Sequence, residues 1–185
     1  MVNRGNRRDR IFLTDDDRRG FLGRLAEMPV RFRVEVHAFL LMDNHYHLWV
    51  RPWQGNLSRA IQWVQLSYSL RFNCAHRTSG HVFLARFKAV LIQDQGRVAE
   101  VTRYLHLNPI RIAGLGLSNL DQRRAKAADL RDPGAELIAR RVRTLESYPW
   151  SSWAFYGGRD PAPGWTGAVG NAGPFGEEDT GSGRS

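Results

Sequence analysis

The sequence predicts an α+β sandwich, helices packed over an antiparallel sheet, and three observations carry that prediction. Phe32, Val34, Val36 and Ala38 alternate with Arg33, Glu35 and His37. That is the period of a half-buried strand, and it runs on through Phe39 to Met42. Asp43-Asn44 is turn chemistry, so His45 to Arg51 returns beside the first strand as a hairpin. Helical stripes flank the hairpin, Phe21, Leu22, Leu25 and Met28 before it and Leu57, Ala60, Ile61 and Val64 after it.

From the start of the chain, Arg4-Gly5-Asn6-Arg7-Arg8 is a turn carrying several positive charges. Thr14 is a fair N-cap for the first helix, Asp15 to Asp17 complement its positive end, and Pro29 is expected to close it. Gly55-Asn56 leads into a second helix that runs to about Ala75, and His76 to His81 is a polar loop. Phe83 to Gln93 reads as another strand, containing Arg86-Phe87-Lys88. A third helix begins near Arg97 and ends at Asn108, because Pro109 disfavours helix in the residue before it. Gly114 and Gly116 open a loop, and Ala135 to Leu145 forms a last helix. Beyond Tyr156 the chain turns Gly-, Pro- and Asp-rich, so residues 1–157 are read as the domain and 158–185 as a disordered tail. Removing the tail is expected to leave folding unchanged.

The 185 residues suit one domain with a real core, and 42% hydrophobic with 24% charged residues is ordinary globular composition. The net charge of +9, with a pI near 10.7, is the footprint of a polyanion binder, and nucleic acid is the commonest polyanion. Cys74 is the single cysteine, which excludes a disulfide framework and a cysteine-based zinc site. No apolar run has the length of a membrane span, and MVNRGNRRDR lacks the apolar core of a signal peptide. The expected location is the cytoplasm, on the nucleoid when DNA is bound.

The stretch MDNHYHLWV carries the chemistry. Successive strand side chains alternate, so His45 and His47 share one face while Tyr46, Leu48 and Val50 take the core side. Imidazole is the commonest protein ligand for a divalent metal, and a working site needs a third ligand with open positions. In RYLHLNP, Tyr104 and Asn108 lie one helical turn apart, on the flank of the stripe Val98, Val101 and Leu105. His106 points away from Asn108 and is the weaker ligand candidate. A phenol is a poor nucleophile at neutral pH unless charge on the attacked phosphoryl group is stabilised. Two histidines and an amide oxygen would suit Mg²⁺ or Mn²⁺ shared with a phosphate oxygen. Arg51 shares the histidine face and is a candidate phosphate contact. Singly, each feature has a plainer reading: a structural histidine pair, a packed tyrosine, a helix end before proline. Together they fit one reaction.

At these residues the chain resembles the HUH single-tyrosine transposases, whose His-hydrophobic-His motif is matched by His45-Tyr46-His47 within LLMDNHYHLWVRP. RGNRR, GNLSRAIQWVQLSYSLRFN, GHVFLARFKAVLI, RYLHLNPIRIAG and YPWSSWAFY follow in family order, and Tyr-Leu-His-Leu-Asn-Pro is most similar to the REP-associated branch. The resemblance implies a ferredoxin-like fold, Tyr104 as catalytic tyrosine, and Asn108 as third metal ligand where related enzymes more often have Gln. It implies Mg²⁺ or Mn²⁺ as cofactor and single-stranded DNA beside a hairpin as substrate. Cleavage would leave a 5′-phosphotyrosine and a 3′-OH that is later rejoined. Arg4, Asn6 and Arg7, with Arg86 and Lys88, are then candidates for DNA backbone contacts. Trp49 and Trp53 could stack on bases, though filling core or rim is commoner for Trp. Some relatives are dimers with the tyrosine helix acting across the interface, whereas the REP-associated branch resembles monomers.

Two departures stand out. Only Met1-Val2-Asn3 precede the RGN turn, where the family has a full strand, so either the start is assigned late or the sheet lacks part of a strand. Asp43 stands where Pro is more usual. A hairpin-DNA binder of the same fold that no longer cuts is the alternative reading. A basic RNA-binding or structural domain would explain the charge but not the histidine pair.

Overall fold

The computed structural model describes residues 1–111, 115, 117, 118, 121–123 and 134–167. Its centre is the expected hairpin: β2 (Val34–Met42) turns at Asp43-Asn44 into β3 (His45–Pro52). Met42 lies opposite His45 and Leu40 opposite His47, with one register shift between Val36 and Ala38. A short first strand, β1 (Val2–Arg4), pairs with the other edge of β3, placing Val2 opposite His47 and Arg4 opposite His45. The order β1-β3-β2 makes β3 the central strand of an antiparallel sheet. Residues directly opposite in antiparallel strands share a face. Val2, His47 and Leu40 therefore form one row, and Arg4, His45 and Met42 the next. Asn3, Tyr46 and Leu41 point to the other side and are buried.

That other side is the main core, covered by α1 (Asp15–Phe32) and α2 (Leu57–His76). Phe21, Leu25 and Met28 of α1 and Ala60, Ile61 and Val64 of α2 meet Tyr46 and Leu48 of β3. Thr14 caps α1 as a capping box with Asp17, as the sequence suggests. Asp43, where proline would be usual, is held by ion pairs to Arg10 (3.3 Å) and to the buried Arg18 of α1. Its carbonyl accepts from the Ile11 and Phe12 amides, so the turn is fastened to the chain that enters α1. Gly5 is required by close approach: a Cβ there would collide with the Asp9 carbonyl and the Ile11 side chain.

The opposite, histidine-bearing face takes α3 (Gln95–His106), whose Leu105 packs on Ala38 and Leu40. A 3-10 turn (Asn108–Ile110) follows, so the α-helix stops at His106 and Asn108 opens the turn, with Pro109 inside it. α4 (Gly134–Glu146) matches the last helix expected from the sequence and leads to the short α5 (Trp153–Tyr156). The segment before α5 lines the outer edge of β2. The Leu41 amide donates to the Trp150 carbonyl (2.9 Å), the Ser152 amide to the Phe39 carbonyl (3.0 Å), and the Tyr148 hydroxyl to the Leu41 carbonyl (2.6 Å). His106, buried, meets the Ser152 hydroxyl through Nε2 at 2.8 Å, which ties α3 to this segment. An edge covered this way cannot template another strand.

The architecture is thus mixed helix and sheet with a small three-stranded antiparallel sheet, and it departs from the sequence reading in three places. Phe83 to Gln93 is no regular strand: it meets the edge of β1 at isolated bridges, Val2 with Lys88 and Gly5 with Phe83. Amides of Leu84 and Lys88 donate to carbonyls of Arg4 and Val2, so four residues advance here against two of β1. The surplus bulges out, and the Asn3 side-chain amide donates to the Ala85 carbonyl (2.9 Å) in place of a ladder bond. Pro29 does not close α1, which runs on to Phe32, because near a helix end proline forfeits one bond only and its own carbonyl still accepts from the Arg33 amide (3.0 Å). Nor does packing end at residue 157. Trp165 stacks on Phe39 with centroids 5.8 Å apart, and the Gly167 amide donates to the Val36 carbonyl (3.1 Å). An aromatic among Gly and Pro is enough to seat this stretch on the sheet edge. Gly114, Gly116 and residues 168–185 lie outside the described residues.

Trp165→Ala is expected to cost about 2 kcal/mol, through lost aromatic packing. The melting temperature should then fall by about 5 °C. An unchanged melt would mean that the packed domain ends before Trp165.

Candidate active site

His45 and His47 stand side by side on the central strand, ring centroids 5.1 Å apart and rings nearly perpendicular. Both are half-buried. Burial, then the neighbouring Arg4, lowers the pKa of His45. Burial, with His45, the N-terminal ammonium and Arg111 adding to it, lowers that of His47 to about 3. Both rings are therefore neutral at physiological pH, the form that ligates metal. Two imidazoles sharing one ion through bonds of about 2.1 Å sit on the order of 5–6 Å apart, so the observed spacing fits. Nδ1 of His45 lies 2.7 Å from Oδ1 of Asn44. Because a carbonyl oxygen only accepts, Nδ1 carries the proton and Nε2 keeps its lone pair for a ligand.

Tyr104 comes to this pair from α3. Leu105 is the anchor buried on the sheet, and the preceding residue is thereby directed along its surface. The Tyr104 ring lies edge-on to His47 at 6.1 Å and stays 45% exposed, open to a ligand. One turn on, the Asn108 amide nitrogen donates to the Tyr104 carbonyl at 2.8 Å and, more weakly, to that of Leu105 at 3.4 Å. Its Oδ1 is left as an acceptor at the same helix end. Among the described residues no group of three or more His, Cys, Asp or Glu side chains could hold a metal. A cation here would therefore have two imidazoles, the Asn108 oxygen, and oxygens from water or substrate. With no carboxylate in that set, an anionic substrate oxygen is the natural completion.

The other candidate contacts occupy different places. Arg4 is exposed in the row with His45, and Lys88, exposed and bridged to Val2, extends the row of His47 to the sheet edge. Asn6 and Arg7 form the 3-10 turn Asn6–Arg8 beyond β1, with Arg7 in left-handed backbone at φ 51°. Arg86, also exposed, lines a groove between α2 and residues 80–87, together with Gln62, Gln65 and Asn73. Arg51 sits opposite Glu35 at the far end of β3, its guanidinium 4.3 Å over the exposed Trp53. Four residues along a strand put it roughly 13 Å from His47. Trp49 packs against His37 at 4.4 Å, a core role. The structure thus brings Tyr104 to His45 and His47, sets Arg4 in the row of His45 and Asn108 one turn from Tyr104, and leaves Arg51 apart.

Two residues of this cluster escape sequence reading. Asn44 reads as turn chemistry, and nothing in its spacing says that its side chain orients His45. Arg111 places its guanidinium 4.4 Å over the Tyr104 ring. Its spacing, seven after Tyr104 and three after Asn108, was the available signal, obscured because Pro109 makes helical periodicity look finished there.

Asn44→Ala is expected to weaken Mn²⁺ binding about tenfold, as loss of a ligand's orienting partner commonly does. Calorimetric titration with single-stranded hairpin DNA present measures it; equal affinity in the variant would contradict the assigned tautomer.

The family model described as transposase, IS200-like, matches residues 1–108, more than half of the 185-residue chain, and takes in β1, the hairpin, Tyr104 and Asn108. No curated protein and no solved structure matches it. Among the described residues no helix is long and apolar enough to cross a membrane. The chain belongs to the IS200-like transposase family, which implies a DNA-processing enzyme with DNA as its partner.

Proposed function

We propose that the protein cuts and rejoins single-stranded DNA beside hairpins, with Tyr104 as nucleophile and a 5′-phosphotyrosine as intermediate. The placement of the exposed Tyr104 ring against His47 carries this reading, because it puts a phenol beside a pair of neutral imidazoles. Oη of Tyr104 forms a bond to the phosphorus while the bond from phosphorus to O3′ breaks. The phenol gives up its proton and O3′ takes one, so no net proton or electron is exchanged. The phosphotyrosine ester conserves the energy of the broken bond, and the reverse attack by a 3′-OH rejoins strands. Mg²⁺ or Mn²⁺ held by His45, His47 and Asn108 would supply electrostatic stabilisation to the non-bridging oxygens.

The remaining candidates fit a DNA path that crosses the histidine face. Arg4 and Lys88 border that face, and Arg7 and Arg86, with the polar Asn6, continue the margin beyond β1. Arg51 with Trp53 would hold the strand at the other end of β3 by charge and stacking. Binding through phosphates falls steeply with salt, so hairpin affinity should drop accordingly. A REP-like hairpin, a monomer or homodimer, and a cytoplasmic, nucleoid-associated location complete the proposal.

The test is a denaturing gel of purified protein with labelled single-stranded hairpin DNA from the gene's own flanks, with and without Mn²⁺. A covalent band is expected only with metal. Tyr104→Phe should abolish it while leaving binding within about twofold, since the ring and its packing stay. His45→Ala or His47→Ala should abolish the metal-dependent band. Adduct formation by Tyr104→Phe would remove the nucleophile, and undiminished cleavage in excess chelator would remove the metal. Tight binding with no adduct under any condition would leave a hairpin-binding protein that does not cut.

A further inference from the structure

Arg111 lies over the ring of the proposed nucleophile, and the turn after α3 puts it there. The Arg111 amide donates to the Asn108 carbonyl at 3.0 Å, closing the 3-10 turn that Pro109 enforces. That turn brings the side chain back over Tyr104, with the guanidinium carbon 4.4 Å from the ring centroid. The ring is thus flanked by His47 on one side and Arg111 on another, with its exposed part left to solvent. Cation–π attraction explains why a guanidinium rests there but satisfies none of its N–H donors. Nε of Arg111 is buried with no hydrogen-bond partner, and among the described residues no carboxylate pairs with the group. A buried donor without a partner is costly, and the ligand best shaped for a planar fork of N–H groups is a carboxylate or a phosphate.

We propose that Arg111 is a catalytic residue of the strand-cleaving reaction, holding a non-bridging oxygen of the phosphodiester that Tyr104 attacks. The inference rests on the reading of Tyr104 as nucleophile. A phosphorus within bonding reach of Oη lies just beyond the edge of the ring, and a guanidinium whose carbon is 4.4 Å from the ring centroid is within side-chain reach of the same place. Charge gathers on the non-bridging oxygens as the Oη–phosphorus bond forms and the bond to O3′ breaks. A charged fork next to them stabilises that change. Arg51, roughly 13 Å along the strand from His47, cannot serve this phosphate and is left to the DNA path. Packing alone would need the ring and the stem of Arg111. Phosphate binding needs the charge and the fork.

The experiment measures the rate of adduct formation by the full chain on hairpin DNA, with the scissile phosphate either natural or replaced by a methylphosphonate, which lacks the negative charge. Arg111→Gln should slow the reaction on the natural phosphate by on the order of 100-fold, with DNA binding changed far less. On the methylphosphonate the same substitution should cost under about tenfold, since little charge remains for the guanidinium to hold. Arg111→Lys keeps charge without the fork and should fall between, and it serves as the test if Arg111→Gln does not fold. Equal losses on both substrates, or no loss on either, would overturn the proposal and leave Arg111 as a packing residue, with Tyr104 still the nucleophile. A wild-type protein that forms no Tyr104 adduct on either substrate would instead remove the parent reading and this inference with it.

Discussion

Everything at the candidate site depends on the two-sidedness of β3. As the central strand it is bonded to β1 and β2, so its residues cannot rotate or slide independently. Tyr46 and Leu48 are committed to the core beneath α1 and α2, and the Tyr46 hydroxyl accepts from the Gln65 side chain at 2.7 Å. A slip by one residue would expose that core and bury both histidines in it. The register therefore fixes the histidine pair as firmly as it fixes the hydrophobic face. The Asp43 turn, clamped by Arg10 and Arg18, holds the same register at its source.

The second consequence is where α3 can go. With α1 and α2 on one side, α3 must bury Leu105 on the other, against Ala38 and Leu40, the second of which lies opposite His47. Anchoring by Leu105 brings Tyr104 beside the imidazoles and aligns Asn108 and Arg111 behind it. The same cover that positions these groups also partly desolvates the histidines, which keeps them uncharged at neutral pH. Packing and protonation state thus come from one arrangement. His106 belongs to the other side of this helix: its ring is buried against Trp153 and Tyr156 and bonded to Ser152, so it acts as a fastening between α3 and the segment covering β2.

Much of this was legible in the residues. Alternation through Val34, Val36, Tyr46 and Leu48 announces the hairpin and its faces, because one polar and one apolar side give a period of two. The stripes of α1 and α2 are equally plain, as is the flank position of Tyr104. What was hidden depends on contacts distant in sequence. Phe83 to Gln93 has strand composition, yet its partner β1 is three residues long and cannot pair with all of it. Trp165 looks like part of a loose tail, and only its stacking on Phe39, with the Gly167 amide on the Val36 carbonyl, gives it a place. Arg111 looks like one arginine among many until the Pro109 turn sets it over Tyr104.

In the proposed reaction the sheet and α3 together make Tyr104 the residue that carries DNA. The most direct measurement is peptide mapping by mass spectrometry of protein trapped on single-stranded hairpin DNA with Mn²⁺. Arg103 and Arg111 bound a tryptic peptide, Tyr104 to Arg111, that contains Tyr104 as its only tyrosine. A nucleotide joined to that peptide through its 5′-phosphate is expected. A nucleotide on a peptide holding Tyr148 or Tyr156 instead would contradict it.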